Sequence, residues 1–468
     1  MNFPKNFTWG AAAASYQIEG AAREDEKGPS VWDMMCEQPG RIWEGHTGNI
    51  ACDHYHRYKE DVRLMKEIGL QAYRLSVSWP RVLPEGRGKV NAKGLAFYDG
   101  LVDELLKAGI EPWVTLFHWD FPYELYNKGG WLNRDSAEWF ADYTSVVVDK
   151  LSDRVSHWMT LNEPQCFVGL GMEFGIHAPG DKLGTKEVLH ASHNVLLAHG
   201  RAVQVIRAAA KTKPTIGWAP VAVVAFPATE KKCDIDAARQ AMFDFQPVWD
   251  LNNGRKISVW NNTWWGDPIV FGKYPQDAWK AFGDAVPEIK EGDMKLISQP
   301  VDFCGANIYS GLEVRAGKNG KPEAVPLPQG AGMTAFRWPV TPESLGWGVK
   351  FLYERYQKPI VVTENGLSCN DWVSLDGEVH DPQRIDFLNR YLLSLEKCVQ
   401  EGVDVRGYFQ WSIMDNFEWA EGYKERFGLI YVDYSTQKRI LKDSAKWYRK
   451  VIESNGKALA MPYTISPK

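Results

Sequence analysis

Short apolar segments rich in β-branched and aromatic residues recur along the chain, with amphipathic helical patterns between most of them. Eight of these segments can be interpreted as strands: residues 7–11, 72–79, 112–117, 157–161, 215–218, 301–304, 359–363 and 405–409. Apolar residues at helical spacing lie between strand segments at 55–65, 95–105, 139–147 and 387–395. Eight such alternations predict an α/β fold, a single (β/α)8 TIM barrel of parallel strands.

The domain organisation follows from the absence of any dividing feature in the sequence. A chain of 468 residues could hold about three domains of about 150 residues, but barrels of this kind commonly exceed about 400 residues. No low-complexity linker or internal repeat divides it, so residues 1–468 are predicted to form one catalytic domain. Two long stretches, 20–52 and 311–346, show no strand or helix pattern and follow strand segments. Long βα loops of this kind are expected to form the active-site rim.

Charge and hydropathy exclude two classes of partner. Lys and Arg number 54 against 59 Asp and Glu, a formal charge of −5 without a concentrated basic block, so neither nucleic acid nor an anionic membrane is expected to bind. No apolar run approaches the roughly 18 residues that span a bilayer, and the N-terminal residues do not resemble a secretion signal. The seven cysteines are scattered and odd in number, which favours reduced thiols. We expect a cytoplasmic protein, and its oligomeric state is left open.

Two glutamates stand at the ends of the fourth and seventh strand segments. Glu163 follows residues 157–162, and Pro164 after it predicts extended backbone at Glu163. Glu364 follows a β-branched run and precedes the turn-forming Asn365-Gly366. Because the carboxyl ends of all strands in a closed barrel open onto one mouth, the two carboxylates are predicted to face each other.

A pair of opposed carboxylates suits the cleavage of a glycosidic bond. For either glutamate alone, a surface turn is the simpler interpretation, but a carboxylate directly after a buried run is costly without a role or a partner. One protonated carboxyl group can assist the leaving oxygen while an ionised one attacks or activates water. The separation of the two groups decides between these mechanisms, and the sequence does not give it.

Hydrogen-bonding and flat aromatic side chains are predicted at the other strand ends. These residues are Gln17, Arg74, His118, Trp119, Asp120, Asn307, Tyr309 and Trp411. A pyranose presents hydroxyl groups at its rim and apolar C–H faces, so amide, imidazole and aromatic groups together are typical of a sugar site. Singly, each has a structural interpretation, and among the 21 tryptophans, Trp113, Trp139 and Trp158 are predicted to be core residues.

Motifs for other chemistries are missing from the sequence. It contains no Gly-x-x-x-x-Gly-Lys-Ser/Thr loop, no Gly-x-Gly-x-x-Gly, no His-Glu-x-x-His and no Gly-x-Ser-x-Gly. His54 and His56 could suggest a metal, but they open a predicted exposed helix without an evident third ligand. We therefore expect no cofactor and no metal.

At this point the sequence resembles glycoside hydrolase family 1, the β-glucosidase and β-glycosidase family, over residues 7–448. The resemblance lies in seven ordered motifs, at residues 7–20, 74–81, 118–120, 160–164, 307–309, 363–366 and 411–419. It implies a (β/α)8 barrel and a retaining double displacement, with Glu364 as nucleophile and Glu163 as acid and then base. From the residues, we add the hypothesis that the negative charge of Glu364 keeps Glu163 protonated.

The resemblance also assigns the residues around this pair. Arg74, Asn307 and Tyr309 would support the two glutamates. The implied substrate-binding residues are Gln17, His118, Trp119, Asn162, Trp338, Trp411, Glu418, Trp419 and Phe427. By position, the entrance would be lined by Cys166, Leu170, Glu173 and His177. Two positions depart from the common family pattern, Gln165 and Tyr123, and both bear on the leaving-group side.

Family members that act on 6-phosphorylated sugars carry a Ser-led, Lys-bearing segment where this chain reads Asn416-Phe417-Glu418-Trp419. A carboxylate there would repel a phosphate dianion. The resemblance therefore implies a β-glucosidase that releases terminal non-reducing glucose from short β-glucosides or cello-oligosaccharides. Alternatives are a broader β-glycosidase with β-fucosidase or β-galactosidase activity, a transglycosylase that uses the same residues, and a non-catalytic sugar-binding protein, which the presence of both carboxylates disfavours. The natural aglycone is left open.

Overall fold

A computed structural model describes residues 3–245 and 258–459 of the chain. Its strands, in chain order, are β1 (Thr8–Ala12), β2 (Ala72–Ser76), β3 (Glu111–Phe117), β4 (His157–Asn162), β5 (Thr215–Ala219), β6 (Val224–Pro227), β7 (Cys304–Asn307), β8 (Gly311–Ala316), β9 (Pro322–Ala324), β10 (Ile360–Asn365), β11 (Val405–Trp411), β12 (Ile430–Asp433) and β13 (Lys438–Leu441). Each of the eight predicted strand segments overlaps a barrel strand, although the sixth, residues 301–304, shares only Cys304 with β7.

The α-helices of the described residues lie mostly between these strands. They are α1 (Ser15–Ile18), α2 (Val31–Cys36), α3 (His54–Ile68), α4 (Trp79–Val82), α5 (Ala92–Ala108), α6 (Tyr123–Tyr126), α7 (Ser136–Leu151), α8 (Thr185–Ala209), α9 (Lys232–Phe243), α10 (Thr263–Phe271), α11 (Gln276–Phe282), α12 (Asp293–Ile297), α13 (Glu343–Tyr356), α14 (Pro382–Gln400) and α15 (Asp443–Glu453). A π-helix, Gln165–Glu173, follows β4.

Eight parallel strands form the barrel, in the order β5-β4-β3-β2-β1-β11-β10-β7. Its last side is closed by hydrogen bonds between β5 and β7 and the residues that flank them. The Asp302 amide donates to the Ile216 carbonyl at 2.7 Å, and the Asn307 amide donates to the Pro220 carbonyl at 3.0 Å. The predicted (β/α)8 barrel is confirmed, and all strand ends that carry the candidate residues open at one mouth.

The helices that were predicted from apolar spacing cover the outside of the barrel with those same stripes. In α14 the predicted apolar residues 387, 388, 391, 392 and 395 are all buried. Helices α3, α5 and α7 match the other three predicted helical segments. An apolar stripe on each helix is thus sufficient to dock it against the barrel strands, which are themselves almost fully buried.

The two rim segments contain more regular structure than the sequence predicted. Segment 20–52 includes α2, which begins at a capping box made by Ser30 and Asp33. Segment 311–346 includes β8 and β9, which form a small three-stranded sheet with β6. In β8 only Val314 is buried, so backbone pairing rather than an apolar pattern holds the strand, and the sequence carries no periodic signal for it.

The sequence predicted that His54 and His56 open an exposed helix, but only His56 is exposed in the structure. His54 is buried, and its Nδ1 lies 2.8 Å from Asp61 Oδ2. His56 is exposed and contacts Asp53 and Glu24. Within residues 3–245 and 258–459, no group of three or more His, Cys, Asp or Glu side chains is arranged to hold a metal ion.

None of the helices in the described part of the chain is both long and apolar enough to cross a bilayer. The seven cysteines all lie within the described residues, and each is a free thiol there.

Candidate active site

Glu163 follows β4 on backbone that the sequence did not predict. Its φ angle is 44°, in the left-handed region, rather than extended. Pro164 disfavours the right-handed helical conformation at the residue before it, and the chain must turn at once from β4 into the π-helix. The turn is held by hydrogen bonds from the Glu163 amide to the Ala219 carbonyl and from the Cys166 amide to the Glu163 carbonyl, both 2.8 Å.

Glu364 lies within β10, and both of its carboxylate oxygens accept short hydrogen bonds. Arg74 Nη1 donates to Oε1 at 2.6 Å, and the Tyr309 hydroxyl donates to Oε2 at 2.6 Å. The carboxylate is 3% exposed. The next turn is close-packed, because a Cβ atom on Gly366 would lie 1.9 Å from the Trp411 carbonyl oxygen. Glu364 is therefore held in one orientation at the barrel mouth.

Asn307 and Asn162 connect the two glutamates. Asn307 Nδ2 donates to Glu163 Oε1 at 2.9 Å and to Asn162 Oδ1 at 3.0 Å. Asn162 Oδ1 also accepts from Arg74 Nη2 at 2.6 Å, and Arg74 binds Glu364. The chain of contacts from Glu163 to Glu364 thus runs through three intervening side chains at a single mouth, as predicted from the strand ends.

The two carboxyl groups hold their protons differently. Burial raises the pKa of Glu163 to about 8, and the charge of Glu364 adds to that rise. Burial also raises the pKa of Glu364, but Arg74 and Tyr309 oppose the rise. Glu163 therefore keeps its proton up to about pH 8, whereas Arg74 and Tyr309 favour the ionised form of Glu364. The sequence hypothesis named the Glu364 charge as the cause, whereas burial of Glu163 is the larger one.

A polar group lies at one side of this pair, formed by Gln17 and Glu418. Gln17 Nε2 donates to Glu418 Oε2 at 3.2 Å and to the Phe417 carbonyl at 2.9 Å. Gln17 Oε1 is buried and has no hydrogen-bond partner within the described residues. A buried acceptor of this kind suits a hydroxyl group of a sugar.

His118 is connected to the two glutamates through Asn162. The Asn162 Oδ1 atom already accepts two hydrogen bonds, so its Nδ2 atom donates to His118 Nε2 at 3.0 Å. Burial, followed by the charge of Arg74, holds the pKa of His118 well below its ordinary value. The imidazole is therefore neutral, and Asn162 fixes which nitrogen accepts.

The aromatic residues of the candidate site form two packed groups. In one group Trp419 packs on Trp119 with ring centroids 4.5 Å apart, and His118 stacks near Trp411 at 5.6 Å. In the other group Trp338, which is half-buried, lies 5.2 Å from Tyr309 and 6.1 Å from Phe427. Flat aromatic rings of this kind suit the apolar faces of a sugar ring.

The four candidate entrance residues divide into different environments. Cys166 is buried against Glu163, with Sγ 3.3 Å from Oε2. His177 is partly exposed, and its ring packs against Trp32 and Trp119 with centroid distances of 5.5 and 5.6 Å. Glu173 accepts hydrogen bonds from the amide and hydroxyl of Ser258. Leu170 is partly buried against the core. The entrance position of these four residues comes from the resemblance alone and stays a prediction.

Two residues near the site were missed by the sequence interpretation. Trp32 packs on Trp419 at 4.6 Å, although it lies in the segment 20–52 that carried no pattern. Glu425 is buried, its Oε2 has no partner among the described residues, and its charge helps to raise the pKa of Glu418. Neither residue follows a strand, so no positional signal marked it.

A comparison with sequence models of protein families identifies the family of this chain. The sequence model described as glycosyl hydrolase family 1 matches residues 1–457. The chain belongs to glycosyl hydrolase family 1. It is therefore a glycoside hydrolase, and the resemblance inferred from the seven motifs is confirmed over almost the whole chain.

Relatives within glycosyl hydrolase family 1 cover this chain from end to end. Beta-glucosidase A of Thermotoga maritima is 44% identical over 97% of this chain and 98% of its own length. The aryl-phospho-beta-D-glucosidase BglC of Bacillus subtilis is 38% identical over 98% of both chains. Among solved structures, the beta-glucosidase from Thermotoga maritima in complex with glucoimidazole matches with a TM-score of 0.87, at 44% identity, over 97% of this chain and 99% of that one.

Gln165 and Tyr123 depart from the common pattern of glycosyl hydrolase family 1, and the structure shows a clear role for only one of them. Gln165 is buried, and its amide exchanges hydrogen bonds with the backbone of Val221 at 3.0 and 3.3 Å, so it ties the π-helix to the segment after β5. Tyr123 is partly exposed and stacks on Tyr126 with ring centroids 5.9 Å apart. Gln165 thus has a structural role here, whereas the structure gives no comparable explanation for Tyr123.

Proposed function

We propose that this glycoside hydrolase is a retaining β-glucosidase, with Glu364 as nucleophile and Glu163 as acid and base. The observation that carries the proposal is the difference between the two carboxyl groups. Glu364 is fixed by Arg74 and Tyr309 at 2.6 Å each, whereas the pKa of Glu163 is raised to about 8. One group is set to attack and the other to donate a proton.

In the first step, an ionised Glu364 oxygen forms a bond to the anomeric carbon as the bond to the leaving oxygen breaks. Glu163 transfers its proton to that oxygen, so the aglycone departs as an alcohol. Tyr309 and Arg74 hold the Glu364 carboxylate against rotation. The pKa of Tyr309 is raised by burial and by the Glu364 charge, which keeps its hydroxyl protonated as a donor.

In the second step, water replaces Glu364 at the anomeric carbon. Once Glu364 is esterified, its negative charge is gone, and one of the two causes that raise the pKa of Glu163 disappears. Glu163 can then ionise and take a proton from the attacking water, while Glu364 leaves as a carboxylate. Two inversions retain the β configuration.

The residues around Glu418 support a neutral glycone. Burial and the charges of Glu364 and Glu425 already raise the pKa of Glu418 well above its ordinary value, so another negative group nearby is disfavoured. The Bacillus subtilis relative is named an aryl-phospho-beta-D-glucosidase, whereas the Thermotoga maritima relative is named beta-glucosidase A. The carboxylates at 418 and 425 favour the second specificity, glucose with a free 6-hydroxyl group.

The test is a panel of 4-nitrophenyl β-glycosides that differ only in the glycone. We expect the highest kcat/KM for the glucoside, lower values for the fucoside and galactoside, and a value at least about 100-fold lower for the 6-phosphoglucoside, because like charges would meet in a buried site. Glu364→Gln provides the control, since activity that survives it does not come from this site. Binding of glucosides without turnover, or a preference for the 6-phosphoglucoside, would overturn the proposal.

We also propose a single-domain organisation, a small substrate and a cytoplasmic location for this enzyme. Residues 1–468 act as one catalytic domain, because no linker divides the sequence. The substrate is a small soluble β-glucoside, and acceptor alcohols can compete with water for the same intermediate, so the product ratio measures transglycosylation. The scattered, odd-numbered cysteines favour the cytoplasm.

A further inference from the structure

Cys166 lies one turn after Glu163 and contacts its carboxyl group. The Cys166 amide donates to the Glu163 carbonyl at 2.8 Å, which closes the turn. Its Sγ lies 3.3 Å from Glu163 Oε2, with the thiol as donor. The side chain is buried, so solvent does not compete for this contact.

The other oxygen of Glu163 is held by a donor whose orientation is fixed. Thr363 Oγ1 donates to Asn307 Oδ1 at 2.6 Å, so the Asn307 amide must present Nδ2 to Glu163 Oε1. Oε1 therefore receives an N–H group whether or not Glu163 is ionised. The oxygen left to carry the transferable proton is Oε2, which is the oxygen that Cys166 contacts.

The thiol is suited to remain a donor. Burial and the neighbouring Glu163 carboxyl group raise the pKa of Cys166 well above its ordinary value. When Oε2 is protonated, the S–H group can rotate away, because a thiol is a weak partner in either direction. When Glu163 is ionised, the S–H group gains a charged acceptor, and the contact becomes stronger.

We propose that Cys166 is a positioning residue that holds Oε2 of Glu163 and stabilises the ionised carboxylate that acts as base in the second step. The inference rests on the proposed function, since it requires Glu163 to be both acid and base. The thiol acts on the reaction through the carboxyl group of Glu163, whose Oε2 atom it contacts.

Other charged and titratable groups near Glu163 and Cys166 also influence the pH profile of the enzyme. The charge of Glu364 raises the pKa of Glu163, Arg74 lowers it, and the charge of Glu418 helps to raise the pKa of Cys166. Tyr309 faces both glutamates and stays protonated. A substitution at Cys166 leaves these four groups in place, so its effect on the pH profile reports the loss of one donor.

The experiment compares Cys166→Val, which removes the donor and fills the space, with Cys166→Ser, which keeps a donor. For Cys166→Val we expect the alkaline limb of kcat/KM for phenyl β-glucoside to move up by about 0.5 to 1 pH unit. The acid limb of kcat for 2,4-dinitrophenyl β-glucoside, which reports ionisation in the second step when that step limits turnover, should move up as well. Cys166→Ser should keep both limbs within about 0.3 pH unit of wild type.

Cys398→Val, at a buried cysteine of α14 away from the mouth, is the matched control and should leave both limbs unmoved. If Cys166→Val leaves both limbs where wild type has them, the inference is overturned. The inference is also overturned if Cys166→Ser shifts both limbs by as much as Cys166→Val does.

If Cys166→Val does not fold, Cys166→Ala takes its place with the same expectations. Failure of the proposed function looks different, because wild type itself would then lack β-glucoside turnover or an alkaline limb.

Discussion

Three residues of the candidate site have backbone in the left-handed region: Trp119 at φ 83°, Glu163 at 44° and Trp419 at 50°. For residues other than glycine such conformations are uncommon and cost roughly 1–3 kcal/mol each. Each of these residues lies at the mouth of the barrel, after a strand or at the end of a loop. There the chain must turn sharply while the side chain of the residue still points into the mouth. The surrounding hydrogen bonds, such as that from Trp119 Nε1 to the Asn162 carbonyl at 2.9 Å, hold them there.

Glu163→Gln tests the acid role at the level of one side chain. Gln keeps the shape but cannot donate a proton to the leaving oxygen, so we expect kcat/KM for phenyl β-glucoside to fall by about 10²–10⁴-fold. For 2,4-dinitrophenyl β-glucoside, whose leaving group needs no proton, the loss should be less than about tenfold. Steady-state kinetics on both substrates measure the difference.

The control for this variant is Glu187→Gln, an exposed carboxylate at the start of α8. It should leave both substrates unaffected. An equal loss for the two leaving groups in Glu163→Gln would remove Glu163 from the acid role.

Single residues were predictable where a strand ended in them. Glu163 directly follows β4 and Glu364 lies near the end of β10, and these positions marked both residues. The contact of Cys166 with Glu163 could not be predicted, because it depends on the left-handed backbone at Glu163, which sequence rules placed in the extended region. Trp32 was missed because an isolated tryptophan in an irregular segment carries no periodic signal.

At the scale of elements, a buried ionic cluster joins the loops after β10 and β11 to the start of α15. Lys442 Nζ lies 2.6 Å from both Asp371 Oδ2 and Asp415 Oδ1. Arg384 also contacts Asp371, and Arg426 contacts Asp415. Since Asp415 precedes the segment that carries Glu418 and Trp419, this cluster fixes one wall of the mouth.

Lys442→Met is expected to destabilise the fold strongly, because it leaves two buried carboxylates with one cation each. Removing one partner of a buried ion pair costs about 3–5 kcal/mol. The free energy of unfolding in urea, together with Tm, measures the loss. The matched control is Lys446→Met, which removes an exposed pair with Glu378 at 2.7 Å and should change stability by less than about 1 kcal/mol. Equal stability of both variants would contradict the role of the cluster.

Elements with a continuous apolar run or a helical stripe were predicted, and elements held by backbone pairing were not. The strands β10 and β4 are buried over almost their whole length. Apolar residues therefore recur in both strands, and this pattern is visible in the sequence. Strand β8 is mostly exposed and is held by β6 and β9. The ionic cluster was equally hidden, since its members lie far apart in the chain.

At the scale of the whole molecule, the closed barrel brings Glu163 and Glu364, which are 201 positions apart in the sequence, to the same mouth. Its closure between β5 and β7 places Asn307 next to Glu163, and its other strands bring Arg74 to Glu364. Fold class was predictable from alternation alone, because eight strands with covering helices have one common closed solution. The separation of the carboxylates depends on side-chain packing and was not predictable.

The pH dependence of kcat/KM for a β-glucoside reflects this arrangement. Activity requires Glu163 protonated and Glu364 ionised. It should fall on the alkaline side near pH 8, because burial and the Glu364 charge raise the pKa of Glu163 to about 8. It should fall on the acid side above the ordinary glutamate pKa, because burial raises the pKa of Glu364. Initial rates at low substrate concentration measure both limbs, and a profile without an alkaline limb would contradict the assignment.

The most direct test of the double displacement is Glu364→Gly with added azide and 2,4-dinitrophenyl β-glucoside. Without azide the variant should show almost no turnover, because no carboxylate can attack the anomeric carbon. Azide fits the space left by the carboxylate and attacks from the same side, so turnover should return and the product should be α-glucosyl azide by NMR. No rescue by azide, or a product of β configuration, would contradict Glu364 as the nucleophile.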